Sequence, residues 1–326
     1  MPEPELMRAV VLTEPRRAEV LEVERPLPGP RHVLVRVEGC GLSAASVQHW
    51  QGRPWLGYPM PAGVPGHEGW GRVEALGSEV TQARVGERVG FLSNRSLAEY
   101  DIAEESQLAR IPESLGDRHV PAEALAGAVG AFKRADIRAG QSVAVVGIGF
   151  LGALITELAA GAGARVLAIS RRDEALEHAR SLGATATLSL DAHAGLALEA
   201  SRRIGEGIDR LGFERVVEAA GLQRTLDVAS GLIGIHGRLV IAGFHGDGRR
   251  SVDMQTWNYR GIDVVSAHTR DPELFVDNMR AALGAIARGE LHPDPLCTAF
   301  PLDRITDAFD CLESRPSGFI KAILKP

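Results

Sequence analysis

The chain has 326 residues, enough for two domains of ordinary size, each with its own apolar core. Apolar residues make up 45% and charged residues 24%, the balance of a soluble globular protein. A formal net charge of −6, with no basic block, leaves no footprint for nucleic acid or an anionic membrane as partner. Three cysteines, Cys40, Cys297 and Cys311, are sparse and odd in number. They point to a reducing, cytoplasmic compartment without a disulfide framework, and they cannot build a four-cysteine structural zinc site.

Residues 1–13 are acidic and then strand-like, without the apolar core of a signal peptide. The segment up to residue 123 is rich in short strand-type runs separated by turn residues. One run, 33–37, follows the Pro28-Gly29-Pro30 turn, and others lie at 71–75 and 88–91. That rhythm predicts a compact β-rich domain. It changes at Ser142, where a buried strand over 142–146 is followed by an apolar helix over 150–160. This most apolar stretch is broken by Gly147, Gly149, Gly152 and Glu157, short of the roughly 20 apolar residues of a membrane span. A second strand at 165–169 and a polar helix at 173–182 come next. Strands at 213–218 and 238–242 follow, each preceded by a helical stretch. Alternation of this kind predicts a parallel sheet covered on both faces. A strand at 262–266 and an amphipathic helix at 272–288 lead into a tail of about 35 residues.

The strongest motif is Gly147-Ile148-Gly149-Phe150-Leu151-Gly152, which closes one predicted strand and opens a helix, with a second strand at the right distance. In that context the three glycines serve a tight turn, close approach to a pyrophosphate and close helix–strand packing, while the helix start holds the phosphates. After the second strand an NAD site usually carries Asp or Glu for the ribose hydroxyls. Here the residues are Ser170-Arg171-Arg172, which can donate to a 2′-phosphate through bonds worth about 1.5–3 kcal/mol each. NADP(H) is therefore expected over NAD(H). The alternative is that the arginines simply open a solvated helix.

These features, with Pro65-Gly66-His67-Glu68-Gly69-Trp70-Gly71, Val85-Gly86-Glu87-Arg88-Val89, Leu97-Ala98-Glu99-Tyr100 and Gly318-Phe319-Ile320-Lys321, resemble the medium-chain dehydrogenase/reductase superfamily, in its zinc-type alcohol and polyol dehydrogenase branch. The resemblance implies an α/β protein with a GroES-like β-rich catalytic domain (1–123), a doubly wound Rossmann domain (124–268) and a return to the catalytic domain (269–326). It implies dinucleotide contacts from the glycine motif, from Ser170, Arg171 and Arg172, and from Lys321, and a homodimer joined through the Rossmann sheet edge at 262–266.

The branch also implies a catalytic zinc, held by a cysteine, by His67 and by a third ligand for which Glu123 is the match. Its first ligand position is filled here by Ser43, and Cys40 falls on the upstream cysteine of the pattern, which does not bind metal. A serine hydroxyl is a poor zinc ligand. Ala45 and Gln48 replace the usual proton-relay residues, and the loop that bears structural zinc is absent between Val89 and Ser96. The site thus reads as a degenerate zinc site, with Ser43, Ser46, His67 and Glu68 as catalytic candidates and His49 and Tyr58 as further proton donors. Trp50, Trp55 and Tyr58 serve either as an aromatic substrate wall or as packing residues. His67 and Glu68 have the alternative of a satisfied core pair, and Cys40 that of a buried small residue.

Three functions remain open on this reading. The first is an NADP(H)-dependent oxidoreductase acting on a carbonyl, alcohol or activated alkene of a small-molecule substrate without zinc. The second is an alcohol dehydrogenase that keeps zinc through His67, Glu123 and either Glu68 or Cys40. The third is a non-catalytic dinucleotide-binding protein.

Overall fold

The computed structural model describes residues 4–191 and 212–326. The chain divides into two compact units, Met1–Ala126 with Arg270–Pro326, and Gly127–Thr269. The helical stretch expected ahead of Phe213 lies outside the described residues.

The first unit opens with the antiparallel hairpin β1 (Leu6–Glu14) and β2 (Arg17–Glu24), turned at Pro15-Arg16 with Arg16 at φ 61°. Next come the long strand β3 (His32–Leu42), the short helix α1 (Ser46–Gln51), and strands β4 (Glu68–Leu76), β5 (Arg88–Phe91), β6 (Tyr100–Glu104) and β7 (Leu108–Arg110). The alternating apolar residues of β3 (Val33, Val35, Val37) meet Val73, Val89, Phe91 and Ala103 in one of the unit's cores, as the period of two requires. Helix α2 (Ala122–Ala135) carries the chain into the second unit.

That unit is a six-stranded parallel sheet. Its strands are β8 (Ser142–Val146), β9 (Arg165–Ser170), β10 (Ala186–Ser189), β11 (Phe213–Glu218), β12 (Ile233–Ile241) and β13 (Asp263–Ser266), in the order β10-β9-β8-β11-β12-β13. Among the described residues its helices are α3 (Phe150–Gly161), α4 (Asp173–Ser181), α5 (Gln223–Leu232) and α6 (Met254–Arg260). All five residues of β8 are buried, as expected of a parallel strand covered on both faces. The order reverses between β8 and β11, which places a ligand crevice beyond their carboxyl ends. The ladder of β12 begins five residues before the expected strand at 238–242. His236, at φ 56°, interrupts it, and the pairing slips between Phe213 and Arg215. This irregular start hid it from a search for regular periodicity.

The chain then returns to the first unit through α7 (Pro272–Ala287), capped by Asp271, followed by β14 (Cys297–Pro301), α8 (Ile305–Ser314) and β15 (Lys321–Lys325). The tail therefore supplies two strands. β15 pairs antiparallel with the end of β3, Ala322 opposite Leu42, and completes the order β14-β15-β3-β4-β5-β7, with β6 also paired to β3. Helix α8 closes a second core in which Trp50 stacks on Phe309 at 4.8 Å, beside Leu12, Cys40, Leu42 and Leu324. No helix among the described residues is long and apolar enough to cross a membrane.

Candidate dinucleotide and active sites

The glycine turn lies at the carboxyl end of β8. Gly147 takes φ 102°, open to glycine at little cost, and its N–H donates to the Ile169 carbonyl at 2.8 Å. A Cβ on Gly152 would stand 1.9 Å from the Gly147 oxygen, so α3 can begin directly against the turn only with glycine there. A Cβ on Gly149 would meet nothing within 4 Å, which marks the open side of the turn. Unlike α6 and α7, each capped by an aspartate, α3 starts at Gly149 with no side-chain cap. No side-chain cap therefore competes with an anion at the start of this helix, around Phe150 and Leu151. At the end of β9, Ser170 is nearly buried, and its Oγ accepts from Arg172 N at 3.2 Å. Arg171 is exposed, while the half-buried Arg172 reaches the Ile148 carbonyl at 3.5 Å. Burial chiefly, with help from Arg171 and against the pull of Glu174, lowers the Arg172 pKa from its ordinary value. The residues present fit a dinucleotide with a 2′-phosphate.

In the first unit, the register Gly41↔Glu68 and Ala322↔Leu42 brings Ser43, His67, Glu68 and Lys321 to one end of the β4-β3-β15 ladder. Glu68 is 1% exposed, and a Cβ on Gly41 would stand 2.0 Å from its Oε2, so β3 leaves room for that carboxylate. The buried Lys321 ammonium lies 2.6 Å from Glu68 Oε1 and 2.5 Å from Oε2. Lys321, expected among the dinucleotide contacts, pairs with Glu68 in this structure. His67 Nδ1 sits 3.0 Å from the Pro65 carbonyl, which fixes the ring proton there, and Nε2 lies 3.9 Å from Glu68 Oε1. Glu123, in the first turn of α2, joins them, with the ligand atoms of His67, Glu68 and Glu123 all within 4.8 Å of one another. Burial, aided by the charge of Glu68, pushes the Glu123 carboxyl up to about 7 against the pull of His67 and Lys321.

Ser43 and Ser46 form a closed pair at the start of α1, with their hydroxyls 3.4 Å apart and each accepting from the other's N–H at 3.3 Å. His49 Nδ1 lies 3.3 Å from the Ala45 carbonyl, and its pKa is lowered by burial first and by nearby His67. Tyr58 donates to the His49 carbonyl. Of the three candidate wall aromatics, Trp50 is a packing residue stacked on Phe309, whereas Trp55 is 65% exposed. Cys40 is fully buried in the apolar core, where burial pushes its thiol far above the usual range, and its Sγ lies 3.5 Å from the Gly41 carbonyl. It stands outside the His67–Glu68–Glu123 group. The sequence reading missed the Lys321–Glu68 pair, because residues 253 apart carry no local signal.

The pattern of the alcohol dehydrogenase GroES-like domain matches residues 29–134, and that of zinc-binding dehydrogenases matches 151–287. The chain is 30% identical over 235 residues to an alcohol dehydrogenase of Rhizobium meliloti (strain 1021), covering 62% of this chain and 68% of that protein. It is 28% identical over 339 residues to quinone oxidoreductase-like protein 2 of Rattus norvegicus, covering 98% and 92%. Among solved structures, a zinc-binding dehydrogenase from Sinorhizobium meliloti 1021 bound to NADP superposes with a TM-score of 0.84 at 25% identity, covering 99% of this chain and all of that one.

Two substitutions separate the roles of the glycines. Gly149→Ala should leave the thermal midpoint unchanged while weakening dinucleotide binding at least tenfold, since its methyl enters only the space a pyrophosphate needs. Gly152→Ala should lower both, because its Cβ collides with the turn itself; calorimetry and a cofactor titration read the two effects.

A second expectation concerns pH. A carboxyl raised from 4.5 to about 7 on folding holds a proton that the unfolded chain has released. Its contribution to stability is therefore lost as pH rises through that interval. In metal-free protein, Glu123→Gln should flatten the fall in midpoint between about pH 5 and pH 8; parallel thermal scans with undiminished slopes would refute this.

Proposed function

The chain belongs to the medium-chain dehydrogenase/reductase superfamily, and from that premise we propose an NADP(H)-dependent oxidoreductase that moves hydride between nicotinamide and a carbonyl/alcohol pair or an activated alkene, without catalytic zinc. The observation that carries the zinc-free reading is the donor set. Ser43 stands where a thiolate is needed, the Cys40 thiol is turned into the core, and neither Cys40 nor Cys297 belongs to the His67–Glu68–Glu123 group. What is left around His67 is Glu123 and a Glu68 carboxylate already neutralised by Lys321. One imidazole, one unshared carboxylate and a hydroxyl do not make a zinc site of the usual N/S/O kind.

Bound NADPH supplies the hydride. The chain's own part is to orient both reactants and to exchange a proton with the substrate oxygen or carbon. The hydroxyls of Ser43 and Ser46 and the Nε2 of His67 are the groups for this, with Glu68 holding charge beside His67. The relatives named for alcohol and quinone oxidoreduction support both a carbonyl and a conjugated substrate.

A second reading keeps a metal. It is favoured by the 4.8 Å grouping of His67, Glu68 and Glu123. Metal analysis of the purified protein decides between them. The zinc-free reading expects well under one equivalent of zinc, a large gain in zinc affinity in Ser43→Cys, and little change in Cys40→Ser. Stoichiometric zinc lost on changing Cys40 would overturn it. Consumption of NADPH with a panel of enals, quinones and aldehydes tests catalysis itself; a protein that binds NADPH and turns over none of them is a binding protein.

The preference for the phosphorylated cofactor rests on Ser170, Arg171 and Arg172. NADPH should bind more tightly than NADH, and Ser170→Asp should reverse or abolish the difference by placing a carboxylate beside the 2′-phosphate. Equal dissociation constants in the unmodified protein would remove the basis of this preference.

A homodimer is part of the same proposal. β13 is the last strand of the Rossmann sheet, with Val264 41% exposed and Tyr259 on the preceding helix 86% exposed. An unpaired edge beside apolar surface suits an isologous contact. A monomeric mass by light scattering at micromolar concentration would count against it.

A further inference from the structure

A buried polar chain in the second unit has no part in the proposed chemistry above. Glu218, the last residue of β11, is fully buried. Its Oε1 accepts from the N–H groups of Ala220 (2.9 Å) and Gly221 (2.8 Å) and from the Thr225 hydroxyl (2.6 Å). Its Oε2 lies 3.0 Å from His245 Nε2, and Arg250 Nε donates to His245 Nδ1 at 2.8 Å. Arg250 also donates to the Gly221 carbonyl at 2.9 Å and to Asp247. An arginine Nε–H can only donate, so Nδ1 must be the acceptor and the single ring proton must sit on Nε2, donated to Glu218. The imidazole is thus held neutral, in one tautomer, between an acid and a base.

This chain is mechanically continuous with the glycine turn. A Cβ on Gly147 would lie 2.8 Å from the Ala220 Cβ, so residues 219–221 back the turn directly. On their other side, a Cβ on Gly243 would lie 2.2 Å from Gly221 N, and one on Gly221 would lie 2.3 Å from the Phe244 carbonyl. Segment 219–221 is therefore clamped between the turn and the loop that carries His245, with backbone against backbone and nowhere to yield. The Glu218 carboxylate fixes its N–H groups, and His245 and Arg250 fix the carboxylate and the Gly221 carbonyl.

We propose that His245 is a positioning residue for the dinucleotide: through Glu218 and Arg250 it holds segment 219–221 against the glycine turn, and its neutral state is required for tight cofactor binding. This rests on the reading that the turn binds a dinucleotide. A second proton on Nδ1 removes the acceptor that Arg250 uses and places a cation against its guanidinium. The charged groups around His245 are Glu218 from β11 and, from its own loop, Arg250 and Asp247. The carboxylates of Glu218 and Asp247 offset the added charge in part, but the Arg250 bond to Nδ1 is lost in any case.

Glutamine can replace both bonds of the neutral ring, since its NH2 donates toward Glu218, its carbonyl accepts from Arg250, and it does not titrate. The experiment is a calorimetric titration of the full chain with NADP+ for the unmodified protein, His245→Gln and His245→Ala, at about pH 8 and about pH 5.5, on either side of ordinary histidine titration. At the higher pH, His245→Ala should bind about tenfold more weakly or worse, and His245→Gln within about threefold of the unmodified protein. At the lower pH, the unmodified protein should lose affinity well beyond the loss in His245→Gln, a comparison that cancels titration of the 2′-phosphate. Identical pH profiles for the unmodified protein and His245→Gln would overturn the proposal, even if His245→Ala does not fold. Failure of the unmodified protein to bind any dinucleotide would instead remove the underlying reading, and this inference with it.

Discussion

The pairing of the Lys321 ammonium with the Glu68 carboxylate is the buried contact around which the His67 end of the first unit's sheet is built. Both groups are almost completely buried, and each would be untenable alone, since stripping one partner from such a pair costs about 3–5 kcal/mol. The pair binds the chain's final strand to the strand that begins just after His67, so the sheet closes and the site forms together. It also sets the local electrostatics. The cation that offsets Glu68 also draws the Glu123 proton off, yet burial outweighs it and leaves that carboxyl mostly protonated below neutrality.

The second unit solves a different problem by steric means. A parallel sheet buried on both faces leaves a crevice where its strand order reverses, and the glycine turn fills that position with backbone alone. Phosphate recognition there is helped by a helix start without a competing side-chain cap, and α3 has one. The Glu218–His245–Arg250 chain stiffens the wall behind this turn. A buried carboxylate with three donors to one oxygen and an imidazole on the other is fully satisfied, which is the condition under which a buried polar network fixes one arrangement.

On the proposed zinc-free reading, hydrogen-bond donors would stabilise the developing oxyanion, and such donors act best where water is scarce. The cluster at the end of β3 and β4 combines two hydroxyls and a carboxyl raised by burial, which can donate, with an imidazole whose Nε2 is left to accept and an internal cation. Its charge is balanced from within the chain.

By itself the sequence determined the elements whose signal is local. The β8–turn–α3 unit follows from a glycine pattern within six residues and a run of buried apolar side chains, and Ser170-Arg171-Arg172 is a neighbouring triplet. The register that sets Cys40 on the upstream cysteine of the family pattern and Ser43 on the ligand position was also a matter of local spacing, from Cys40 to Gly52. Only the tertiary structure decided what depends on contacts between distant residues. It showed that the tail contributes β14 and β15, that Lys321 serves Glu68, that Trp50 packs against Phe309, and that Glu218, His245 and Arg250 form one chain. Each of these is set by strand order and loop approach across tens to hundreds of residues. Local propensity and spacing carry no record of such closures, because the energy that fixes them exists only once both partners have left water together.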